Sequence, residues 1–121
     1  MKNGVNEGES FTWTNGTGSA VSAGDVVVVG NILACAMVDI ASTATGAVRV
    51  GYVFSVPKVS GAVIAQGESL TWDVSAGAFD DNAASPATGD VTGPPAVAME
   101  AAGSGVTTID VKLTGIPGTV A

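Results

Sequence analysis

A chain of 121 residues that is 46% hydrophobic and 12% charged, with 17 glycines, has the length of one domain and too much apolar content for a disordered tail. Eleven acidic residues against four basic ones, a net charge of −7, exclude the clustered cations that drive nucleic-acid binding and disfavour an anionic membrane. With no histidine and no Gly-Lys pair, the Ser-His-Asp and Cys-His arrangements and the P-loop are excluded as well.

In chain order, residues 1–8 read as a flexible N-terminal arm, with Asn3-Gly4 and Glu7-Gly8 as breakers and Val5 as an apolar point. The start Met1-Lys2-Asn3-Gly4 lacks the apolar core of a signal peptide, so use without secretory export is expected. No apolar run approaches the roughly 20 residues of a spanning helix. A first strand is expected over about 9–14, ended by Asn15-Gly16-Thr17-Gly18. Asn15-Gly16-Thr17 also fits a glycosylation acceptor, but without an export signal it reads as a turn.

Val26-Val27-Val28-Val29 is a continuous β-branched run of the kind buried on both faces. It is expected to form a hairpin through Gly30-Asn31 with a strand at 32–38. Cys35 lies within that apolar strand and reads as a buried small hydrophobe. A strand follows at 48–54, with Val48, Val50, Tyr52 and Phe54 on one face, Arg49 on the other, and Gly51 as a bulge or close approach. Pro57 cannot donate to a ladder and Lys58 discourages stray pairing, so this end reads as an edge. Residues 74–95, with three prolines, read as a surface excursion holding one short strand near Phe79. For 96–102 strand is favoured over helix, because Pro94-Pro95 and Gly103-Ser104-Gly105 leave little room. Thr107–Thr114 alternates cleanly, with Ile109, Val111 and Leu113 inward.

The chain repeats itself. Gly8-Glu9-Ser10-Phe11-Thr12-Trp13 returns as Gly67-Glu68-Ser69-Leu70-Thr71-Trp72, Gly24-Asp25-Val26 as Gly89-Asp90-Val91, and Ala34-Cys35-Ala36-Met37 as Ala96-Val97-Ala98-Met99. The reading is an all-β fold: one small β-barrel or β-sandwich of short strands over 9–121, with pseudo-repeated halves of about 9–58 and 63–116. The competing explanation of the repeat is that small β-proteins share a limited vocabulary of turns and strands.

Chemistry is thinly represented. Glu9, Glu68 and Asp73 are the carboxylates from which a hydrolytic pair would have to be drawn, but each lies beside a glycine turn or at a strand end. Asp80-Asp81-Asn82 lacks the spacing of an EF-hand and reads as a turn. No catalytic, cofactor or metal site is expected. Trp13, Trp72 and Tyr52 would be the stacking platforms of an alternative reading, a small β-barrel carbohydrate-binding module.

Taken together, Asn3-Gly4-Val5-Asn6-Glu7-Gly8-Glu9, the strand from Gly51 to Pro57-Lys58, Gly67 to Trp72-Asp73, Val97-Ala98-Met99-Glu100-Ala101-Ala102 and Val111-Lys112-Leu113 resemble the bacteriophage capsid cement, or decoration, family. Members are often labelled phage recombinases, a label that the missing P-loop and the acidic charge argue against here. The resemblance implies a non-enzymatic virion protein, made in the host cytoplasm. It would sit on the outer capsid surface as a homotrimer and hold neighbouring major capsid subunits together. From the residues themselves, capsid contact is expected at the arm, Lys2, Asn3, Gly4, Val5, Asn6 and Glu7. Self-association is expected at Val56, Pro57 and Lys58.

Overall fold

The computed structural model describes residues 9–121, which form eleven strands and no helix. The class is all-β, as the sequence predicts. β1 (Ser10–Thr14), β2 (Val26–Val29), β3 (Ile32–Ala36) and β4 (Thr45–Arg49) make an antiparallel sheet ordered β1-β4-β3-β2. β5 (Tyr52–Pro57), β9 (Ala96–Ala98) and β10 (Thr108–Leu113) make a second, ordered β5-β10-β9. β6 (Thr71–Asp73), β7 (Ala78–Asp80), β8 (Val91–Thr92) and β11 (Thr119–Val120) make a third, ordered β11-β8-β6-β7.

Side-chain alternation explains how these sheets share their cores. In β10, Ile109, Val111 and Leu113 are buried while Thr108, Asp110 and Lys112 face solvent, the period-2 pattern of a half-covered strand. The valine run of β2 is different. Val27 and Val29 belong with Ala34, Ala36 and Val48 in one apolar cluster, whereas Val26 and Val28 pack with Leu33 and Cys35 in the other. The β2–β3 hairpin is therefore a wall with a core on each side, which is why both of its faces are apolar.

The ladders reveal a repeat at the level of hydrogen bonds. Ala36 pairs with Val48 and Cys35 with Arg49; Ala98 pairs with Val111 and Val97 with Lys112. Gly24 N–H donates to Ala36 O and Ala36 N–H to Asp25 O, both at 2.8 Å; Gly67 N–H donates to Ala98 O at 2.8 Å and Ala98 N–H to Glu68 O at 2.9 Å. The bridge Val21–Ile40 corresponds to Ile64–Ala102, and β1 lies on β4 as β5 lies on β10. By this ladder the units run from Glu9 to Val50 and from Gly51 to Leu113. Where the first unit has the two-residue Gly30-Asn31 turn, the second carries the excursion that holds β7 and β8.

Only one of the three repeated words marks equivalent places. The alanine words do, in β3 and β9, whereas Gly67-Glu68 occupies the position of Gly24-Asp25 and Glu9 instead leads into β1. The reason is a shared turn. At 22–25, 65–68 and 87–90 a glycine at φ +92, +85 and +91 fills the position of a type II turn that needs positive φ. The following carboxylate accepts the N–H three residues back: Ser22 to Asp25, Ala65 to Glu68 and Ala87 to Asp90, each at 3.0 Å. The same backbone turn recurs at 103–106, with Gly105 at φ +91, and at 41–44, where Thr43 takes φ 69 instead of glycine.

Three further expectations change. Residues 74–95 are not a mere surface excursion, because Phe79 and Val91 are fully buried and Phe79 meets the Trp72 ring edge-on at 4.8 Å. The expected single strand at 48–54 is broken at Gly51, whose φ of +76 lets the chain pass from the first sheet to the second. Lys58 is no edge gatekeeper. It is buried, and its Nζ donates to the carbonyls of Val59 at 2.8 Å, Gly103 and Val106 at 3.1 Å, and Ser60 at 3.4 Å.

Lys58 and Asn15 hold the same ladder position, with Lys58 N–H on Thr107 O and Asn15 N–H on Ala44 O, both at 2.8 Å. Asn15 is also buried, and its Nδ2 donates to Ser19 O and Ile40 O while Oδ1 accepts from Thr17. Its amide is thus committed to the fold and closed to glycosylation. Each unit uses one buried polar side chain to tie its loop carbonyls, which would otherwise be left unsatisfied. Lys58→Ala is expected to cost about 2–4 kcal/mol and Asn15→Ala about 1–3 kcal/mol. In thermal melts that is a fall of about 10 °C for the lysine variant; a midpoint within about 2 °C of the parent would show that water replaces the ammonium. Thr43→Gly, which relieves a positive φ, is expected to raise the midpoint by about 2–4 °C.

Candidate functional site

The carboxylates singled out by sequence are dispersed and occupied. Glu9 lies at the β1 edge, where Arg49 Nη2 donates to its Oε2 at 2.9 Å. The same guanidinium lies 4.6 Å from the Tyr52 ring centroid, so it fastens the end of the first unit to the start of the second. Glu68 accepts Ala65 N–H and, through Oε2, Asn82 N–H at 2.9 Å. Asp73 Oδ1 accepts the Ser75 hydroxyl at 2.7 Å and the N–H groups of Ser75 and Ala76. The Ser75 hydroxyl, then the Ala76 N–H, hold the Asp73 carboxyl below the ordinary aspartate value. Glu68 and Asp73 shape turns, Glu9 pairs with Arg49, and the three do not converge on a cleft.

Asp80 and Asp81 likewise accept the N–H groups of Asp81 and Ala83. Among the described residues no group of three His, Cys, Asp or Glu is placed to hold a metal ion. Cys35 is buried beside Asp25, and burial first, then the carboxylate, raises its thiol pKa. That disfavours the thiolate and makes the group a poor nucleophile.

Nor do the aromatic residues form a platform. Trp13 packs on the cluster of the first unit, Trp72 is buried in the other, and Tyr52 is exposed at the start of β5, tilted against Phe54 at 5.5 Å. Each sits in a different sheet, so a sugar ring could not stack on two of them along one strand face.

What the fold does build is an apolar groove of about 650 Å³ between the β2 edge and the third sheet. Val26, Val27 and Val28 form one wall, and Trp72, Val74 and Val120 stand opposite. Among the described residues Asp25 is the one charged residue in its lining, and no lysine or arginine lines it. Sequence reasoning missed this groove. The valine run was legible as a strand buried on both faces, but which of its edges would stay unpaired depends on strand order, and local periodicity carries no information about that.

Of the residues expected at interfaces, Lys2, Asn3, Gly4, Val5, Asn6 and Glu7 lie outside the described residues. Val56 and Lys58 are buried within the chain, while Pro57 is exposed.

Comparison with known proteins supplies what this geometry leaves open. The family model described as phage cement protein matches residues 5–113. The chain belongs to the phage cement protein family. The match spans both units of the ladder repeat and the excursion in the second, and membership places the chain with the phage capsid. No curated protein matches the chain.

The occupied carboxylates carry a pH consequence. Because the folded Asp73 pKa is depressed, its contribution to stability is present above the ordinary aspartate value and is lost as pH falls through the folded value. Asp73→Ala is therefore expected to destabilise the fold at neutral pH and to become indistinguishable from the parent in strong acid. Equal melting midpoints for the two proteins at both pH values would show that the turn does not depend on this carboxylate.

Proposed function

We propose that the chain is a capsid decoration protein that binds the outer surface of a tailed-phage head and stabilises the contacts between neighbouring major capsid subunits. The observation that carries this reading is the family match over both structural units. The physical properties support it. A rigid β-domain loses little entropy on docking, and many copies over a regular shell turn modest contacts into high avidity. The net charge of −7 suits a protein whose partner is capsid protein and not the enclosed genome. No turnover is part of this role: the carboxylates serve turns, and the single thiol is buried.

In this reading the protein is made in the host cytoplasm and adds to the assembled shell. We place shell contact at the arm, Lys2 to Glu7. Homotrimer contacts are placed at the Val56–Lys58 end, where Pro57 offers the exposed surface.

The test is to mix the purified protein with undecorated expanded heads and sediment the particles. Co-sedimentation at a fixed stoichiometry is expected, weakened by deletion of residues 1–7. Failure of the full chain to sediment with heads would overturn the reading, and unchanged binding by the deletion would remove the arm from it.

A further inference from the structure

β2 is an edge strand. Among the described residues it pairs only with β3, and the bond from Ala36 N–H to Asp25 O sets the alternation of the ladder. Val27 and Val29 then exchange bonds with β3, while the N–H and C=O groups of Val26 and Val28 point away from it, into the groove. A row of unpaired backbone groups above an apolar trough is a template for another strand.

The second unit shows what fills that place. Its counterpart of β2 is the segment from Ser69 through β6, with Ser69 bridged to Val97 and Trp72 paired to Val91 on one side. On the other side runs β7, with Thr71 opposite Asp80, Trp72 opposite Phe79 and Asp73 opposite Ala78. β7 is short and antiparallel, and its central Phe79 is fully buried. In the first unit the corresponding position beside β2 holds no strand among the described residues. The excursion of the second unit covers its own edge; the tight Gly30-Asn31 turn leaves the first unit's edge open.

We propose that this groove receives an extended segment of a shell subunit, which adds antiparallel to β2 as β7 adds to β6. The chemistry of the segment follows from the site. A bulky apolar side chain occupies the trough in the manner of Phe79, its backbone bonds to Val26 and Val28, and a lysine or arginine flanks it to meet Asp25. This inference rests on the capsid-binding reading above and names where on the chain a shell subunit is gripped.

Two variants separate the possibilities. Val74→Trp fills the trough from an exposed wall position. Val28→Pro removes an outward N–H that the β2–β3 ladder does not use. Both are compared with the parent for co-sedimentation with undecorated heads, after melts confirm that each is folded. Hydrogen exchange at Val26 and Val28 is measured with and without heads, and as a function of protein concentration without them. The expected result is a loss of affinity of about tenfold or more for each folded variant, with slowed exchange at both amides in the head-bound parent. Parent binding with undiminished binding by Val74→Trp and unchanged exchange overturns the groove while leaving the capsid role intact. No binding by the parent overturns both. Protection that appears in the free protein as concentration rises assigns the groove to a second copy and overturns the proposal.

Discussion

The fold depends on one hairpin that has no solvent face. Because β2 and β3 carry small or β-branched apolar residues on both sides, they can stand between two clusters, and each cluster is completed by strands from elsewhere in the chain. Val26 and Val28 join Leu33 and Cys35 to the core of the second unit, and Val27 joins Ala34 and Ala36 to the first. A shared wall of this kind couples the two units more tightly than a linker would, since neither can lose its packing without exposing the other. It also leaves little freedom for one unit to move against the other.

The polar groups reinforce the same arrangement. Lys58 and Asn15 occupy one ladder position in the two units yet differ in charge and reach, and each satisfies carbonyls of the loops that close its own unit. Arg49 bridges the unit junction through Glu9 and Tyr52. Most of the acidic side chains described here serve turns, which accounts for a strongly negative chain without an acidic active site. The carboxylates are spent on shape.

How much of this was legible in the residues varies with the range of the interaction that decides it. Strands at Val26–Val29 and Thr108–Leu113 were readable because hydrophobic periodicity is local. The family was readable because several short words recur in a fixed order along most of the length. The repeat was readable only in part, since Gly-acid words reflect a turn that occurs in several non-equivalent places, and that turn produced the misleading match of Gly8-Glu9 with Gly67-Glu68. Phe79 was hidden by its setting between a glycine and two aspartates, where only the fold shows it to be buried against Trp72. Lys58 was hidden for the opposite reason. A lysine after a proline resembles a solvated edge residue, and the four carbonyls that receive its ammonium come from two segments far apart in sequence.

The contrast between Gly30-Asn31 and the excursion that replaces it in the second unit has a practical side. One copy of the architecture already tolerates a long insertion there without loss of its ladder, so the tight turn of the other copy is a natural splice point. Foreign peptides grafted at Gly30-Asn31 would extend from a scaffold whose second unit keeps its ladder across a much longer connection at the same place.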